Sequence, residues 1–66
     1  MNPRVREGIT YLAREFSVDR PEFQHHFRDG SEMLLVGLLS GGYAWEGNGR
    51  IQLTEQGHRA LGDMQA

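Results

Sequence analysis

Near the start of the chain the apolar residues fall at Val5, Ile9, Leu12, Ala13 and Phe16, the i, i+4, i+7, i+8, i+11 spacing of one buried stripe on a helix. Arg4, Arg6, Glu7, Thr10, Arg14 and Glu15 take the other face. Asn2 followed by Pro3 supplies an N-cap and a first-turn proline, so a first helix is predicted from about Pro3 to Glu15. Asp19 with Glu22 three residues on, and Pro21 between them, has the pattern of a capping box. It starts a short second helix that buries Phe23 and Phe27 on one face and stops before Asp29-Gly30. Ser31, or Asp29 with Glu32, then caps a third helix through about Ser40, with Leu34, Leu35 and Leu38 inward; Gly41-Gly42 ends it.

Tyr43 to Thr54 reads as a β-hairpin with two possible registers. A three-residue loop Gly47-Asn48-Gly49 sets Glu46 opposite Arg50, Trp45 opposite Ile51 and Tyr43 opposite Leu53, so that like faces like. A two-residue loop at Asn48-Gly49 pairs Trp45 with Gln52 and Glu46 with Ile51, mixing polar and apolar on one surface. The pattern favours the three-residue loop, with Tyr43 and Trp45 in the root of the hairpin core. Thr54 caps a last helix, in which Leu61, flanked by Gly57, His58 and Met64, returns to the core.

The fold class expected is mainly α with a small antiparallel β-hairpin, in the order α-α-α-β-β-α, as a single domain over residues 1–66. Two stretches sharpen it. Leu34-Leu35-Val36-Gly37-Leu38-Leu39-Ser40-Gly41-Gly42-Tyr43, then Gly49-Arg50-Ile51-Gln52-Leu53-Thr54-Glu55-Gln56-Gly57, resemble the recognition helix, wing and following helix of the winged helix-turn-helix domain of MarR-like and PadR-like bacterial regulators. The resemblance implies a bacterial or phage DNA-binding transcriptional regulator that acts as a dimer. In that family the third helix enters the major groove, which projects recognition onto Ser31, Glu32, Met33, Val36, Gly37 and Ser40. It also places the wing tip on the neighbouring backbone or minor groove, and the second helix across the DNA backbone.

Charge complicates the projection. Seven arginines and no lysine stand against nine carboxylates, for a net charge of −2, so nothing draws nucleic acid to the whole surface. The outward face of the third helix, Met33, Val36, Gly37 and Ser40 with Glu32 near its start, has no basic residue, whereas base readout relies on Arg, Lys, Asn and Gln. The DNA-contact candidates are therefore Arg50 and Asn48 at the wing, Arg20, Gln24 and Arg28 along the second helix, and Ser31 and Ser40 on the third. For Arg50 the competing role is a cross-strand pair with Glu46; for the others it is a solvated polar face. Met33, Val36 and Gly37 are the candidate protein interface, because a helix apolar on both sides needs a cover. The readings carried forward are a DNA-binding regulator and, as the alternative, a winged-helix adaptor or inhibitor that binds protein instead.

Other chemistry finds little support. Without cysteine there is no disulfide and no thiolate ligand or nucleophile. Glu22, His25 and His26, with His58 as a third imidazole, have spacings a zinc ion would accept, but no second spaced motif accompanies them, so no metal and no cofactor is expected. No nucleophile and base stand in a recognisable arrangement, so catalytic residues are none. Met33 to Leu39 is far shorter than the roughly 20 residues that span a bilayer, and no signal-peptide pattern opens the chain, so a cytoplasmic protein without membrane contact is expected.

Overall fold

A computed structural model, which describes residues 2–65, shows α1 (Pro3–Glu15), α2 (Arg20–Phe27), α3 (Ser31–Ser40), β1 (Ala44–Gly47), β2 (Arg50–Leu53) and α4 (Glu55–Gln65). This mainly helical α-α-α-β-β-α order with one antiparallel hairpin is the winged-helix topology. No described helix is long and apolar enough to cross a membrane.

The helix starts follow their caps. Asn2 Oδ1 accepts from the Arg4 amide at 2.8 Å, and Asp19 Oδ1 from the Glu22 amide at 2.8 Å. Thr54 Oγ1 accepts from the Gly57 amide at 3.0 Å. The start of α3 differs from expectation: neither Ser31 nor Asp29 caps it. Gly30, at φ 80°, is the N-cap without a side-chain bond, and Ser31 is already inside the helix with 7% exposure. The chain turns there through Arg28 (φ 59°) and Gly30, and the Ser31 amide donates to the Arg28 carbonyl at 3.1 Å. At the other end Gly42, at φ 79°, closes α3 with its amide on Leu39 O and the Tyr43 amide on Leu38 O, satisfying carbonyls the helix would leave orphaned.

Ile9, Leu12, Val18, Phe23, Leu38 and Ile51 form the fully buried centre. Each main element contributes: α1 packs on α3, α4 and β2, and α2 reaches the centre through Phe23 and Phe27. Helix α4 returns mainly through Gly57 and Ala60, with Leu61 and Met64 half-buried beside them, so the expected anchor Leu61 lies one residue from the buried position.

Phe16 leaves the stripe that its spacing predicts. It is 72% exposed at φ 69°, ψ −51°, and the Ser17 amide donates to Glu15 O at 2.8 Å. This is a γ-turn of the positive-φ kind, rare and strained for a residue with a Cβ. The turn redirects the chain so that Val18 pairs with Ile51, each amide donating to the other's carbonyl, at 3.1 and 2.6 Å. Phe16→Gly is expected to raise thermal stability by about 1 kcal/mol, because relieved strain of roughly 1–3 kcal/mol exceeds the added chain entropy of about 0.5–1 kcal/mol. A melting curve measures it; an unchanged or lower midpoint would show that the turn is unstrained.

The hairpin adopts the two-residue loop rather than the favoured three-residue one. Ala44 pairs with Leu53, Trp45 with Gln52, Glu46 with Ile51 and Gly47 with Arg50, and the tip residues Asn48 and Gly49 have φ 54° and 75°. Asn-Gly suits this left-handed pair of positions, whose turn matches the right-handed twist of the strands. The mixed surface that argued against this register is resolved by Val18. It adds a third extended segment beside β2, so Ile51 is fully buried between Val18 and Glu46, and the Glu46 carboxylate reaches past them to α2. Trp45 consequently faces away from the core, 48% exposed, its ring lying where a side chain on Gly47 would be. Tyr43 packs half-buried against the core, as the wing root requires.

Candidate interaction surface of α2, α3 and the wing

Helix α3 packs against both α2 and β1. The start of α2 is tied to β1 by an ion pair that the three-residue loop does not provide: Arg20 Nε and Nη2 donate to Glu46 Oε2 and Oε1 at 2.8 and 2.7 Å. Two parallel charge-assisted bonds fix both side chains in a plane. The guanidinium's hydrogen bonds hold the Glu46 carboxyl below its ordinary value, and Glu46 raises Arg20 in return, with Glu32 adding to the effect. Because Glu46 is depressed in the folded state, the latch is present above the ordinary carboxylate range and is lost as pH falls through the folded value. The sequence signal for it was Asn48-Gly49, since the two-residue turn puts Glu46 on the inward face.

Arg50 points elsewhere. Its Nε donates to Ser17 Oγ at 3.0 Å and its Nη2 to Ser17 O at 2.8 Å, and Nη1 lies 3.9 Å from Glu22 Oε1. The competing role for Arg50, a cross-strand pair with Glu46, is not formed, because the register sets Arg50 opposite Gly47 and commits Glu46 to Arg20. Arg50 thus lies back against the edge of the sheet, away from Asn48 at the exposed tip. Gln24 and Arg28 are exposed on α2 and at its end, and the Arg28 guanidinium has no carboxylate partner among the described residues. Three carboxylates, Glu22, Glu32 and Glu46, therefore accompany the three arginines Arg20, Arg28 and Arg50 around this surface.

On α3 the division into faces holds. Leu34, Leu35 and Leu38 are buried, while Met33 is 81% and Val36 62% exposed, and Ser40 and Glu32 are open to solvent. Ser31 is removed from the candidate readers by burial. Gly37 is half-exposed in the stripe. An apolar groove of about 270 Å³ runs beside Met33 and Gly37, between them and Asn2 and Val5 of the chain start.

Of the three histidines, His26 is engaged in packing, while His25 and His58 are exposed. The His26 ring stacks on Tyr11 with centroids 4.0 Å apart and planes at 16°, and meets Phe27 edge-on at 4.7 Å. Burial raises the Tyr11 phenol above its ordinary value. Among the described residues no three His, Asp or Glu side chains gather as metal ligands. A second groove, of about 470 Å³, runs between α1 and α2 over Tyr11, His26 and Phe27 and is rimmed by Arg6 and Arg14.

Compared with protein-family models, curated proteins and solved structures, the chain matches none.

Proposed function

We propose that this winged helix works as a protein-interaction module, docking a protein on the outward face of α3 instead of inserting that helix into DNA. One observation carries the reading: the helix that would face the base pairs offers Met33 and Val36 at 81% and 62% exposure, with Glu32, and no basic side chain. The surroundings agree with it. Arg20 is held in two hydrogen bonds by Glu46, and Arg50 is turned onto Ser17, so the arginines nearest the would-be groove are engaged inside the protein. Glu32 and Glu46 would also stand against phosphates.

DNA binding is the second reading, favoured by the topology and by Arg28 and Asn48, which lie exposed on the elements that cross the backbone in winged helices. A fluorescence-anisotropy titration with mixed-sequence duplex at about 50 mM salt separates the two, since this condition leaves electrostatic attraction weakly screened. The interaction module is expected to show no saturable binding up to about 100 µM, at the weak end of non-specific DNA affinity. Saturable binding that weakens with salt at a log–log slope of about −0.9 per phosphate, and that Arg28→Ala and Arg20→Ala reduce, would instead establish the DNA reading.

A further inference from the structure

Gly37 occupies the interior of α3 without a reason inside the protein. Its φ is not positive, and beyond its own stretch of helix no atom lies within 4 Å of the place its Cβ would take. Glycine at such a position is less favourable than alanine, because it gives up more backbone freedom on folding. Gly8, in α1, is accounted for by contrast: a Cβ there would stand 2.9 Å from Leu38 Cδ1. Gly37 instead lies on the exposed stripe Met33, Val36, Gly37, Ser40, which reads large, large, small, small. Turned antiparallel about a twofold axis between positions 36 and 37, that stripe is complementary to itself. Met33 meets Ser40, and Val36 meets Gly37, in both directions.

We infer that the face binds a second copy of this chain, α3 against α3, with each Val36 seated over Gly37 of the other copy. The inference rests on the reading of α3 as a protein-docking face and names its occupant. Self-complementarity is what an isologous interface requires. Charge selects the antiparallel arrangement, because a parallel one would bring the two Glu32 carboxylates together and the antiparallel one sets them at opposite ends. Two ten-residue helices bury less than the roughly 1,200 Å² below which contacts are weak and transient. The dimer is therefore concentration-dependent, forming in the micromolar-to-millimolar range.

Sedimentation equilibrium of the full chain from about 10 µM to about 1 mM tests it. The wild-type mass is expected to rise from 7.5 kDa towards twice that value. Gly37→Leu enters open space, so its circular dichroism should match wild type, yet it should weaken association at least about tenfold although it makes the face more apolar. Gly62→Ala, at an open glycine on α4 away from the stripe, should associate like wild type. A wild-type chain that stays at monomer mass throughout, or Gly37→Leu associating as strongly as wild type or more, would overturn the inference, the latter by showing indiscriminate apolar sticking. Duplex binding in the anisotropy titration would overturn the reading beneath it; a monomer that ignores DNA overturns the α3 dimer alone.

Discussion

Phe23→Ala is expected to leave this protein close to unfolding, while Phe16→Ala, the same change seven positions earlier, leaves the melt within about 0.5 kcal/mol of wild type. Phe23 is fully buried, edge-on to Tyr11 at 6.1 Å and tilted against Phe27 at 4.8 Å. Deleting a buried phenylalanine costs about 3–5 kcal/mol through lost transfer energy and the cavity left behind. At roughly 0.05–0.15 kcal/mol per residue, a chain of 66 residues has about 3–10 kcal/mol in total. Helix α2 is eight residues long and reaches the core through Phe23 and Phe27, so its loss also frees Arg20 from Glu46. A thermal melt should fall by more than about 10 °C. A shift no larger than that of Phe16→Ala would mean that α2 is not held by the aromatic cluster.

Gly57→Ala should destabilise against the helix propensity that favours alanine by about 1 kcal/mol. A Cβ at Gly57 would fall on the carbonyl oxygen of Tyr43 and 2.9 Å from Leu53 Cδ2. That oxygen is fixed by the Thr54 amide at 3.0 Å, so the backbone at the root of the wing cannot give way without breaking the hairpin. Overpacking of this kind costs about 1–3 kcal/mol, and α4 would be displaced from the sheet. Gly62→Ala on the same helix meets nothing within 4 Å and should stabilise. Opposite signs at the two glycines, read from paired denaturant curves, are the expected result; stabilisation at both would show that α4 does not approach the wing as closely as described.

What is legible in the sequence divides by the range of the forces involved. The first helix could be bounded at Pro3 and Glu15 because its cap, its proline and its stripe are all local. The inward and outward faces of α3 followed from the spacing of Leu34, Leu35 and Leu38, and so did the exposure of Met33 and Val36. The departures at Phe16, the hairpin register and Arg50 share a cause in tertiary context. Phe16 obeys the helical period but lies where the chain must swing to deliver Val18 to β2, and the turn outweighs the stripe. For two strands alone, Glu46 beside Ile51 is costly. With Val18 as the third segment and Arg20 within reach, that arrangement buries Ile51 and pairs Glu46. The side chain of Arg50 follows from the same register: with Glu46 committed to Arg20, it turns to Ser17, next to Val18, and towards Glu22 on α2.

Amide resonances of the labelled protein put the central claim, that the outward face of α3 meets protein and not DNA, to its most direct test. The spectrum is recorded on dilution from about 1 mM to about 20 µM, a range spanning weak association, and then with duplex DNA added at low salt. Dilution is expected to move the resonances of Met33, Val36, Gly37 and Ser40 and to leave Asn48 and Gly49 in place, and the duplex to move none of them. Resonances of α3 that stay fixed on dilution, and that shift together with Arg28, Asn48 and Gly49 when duplex is added, would contradict it.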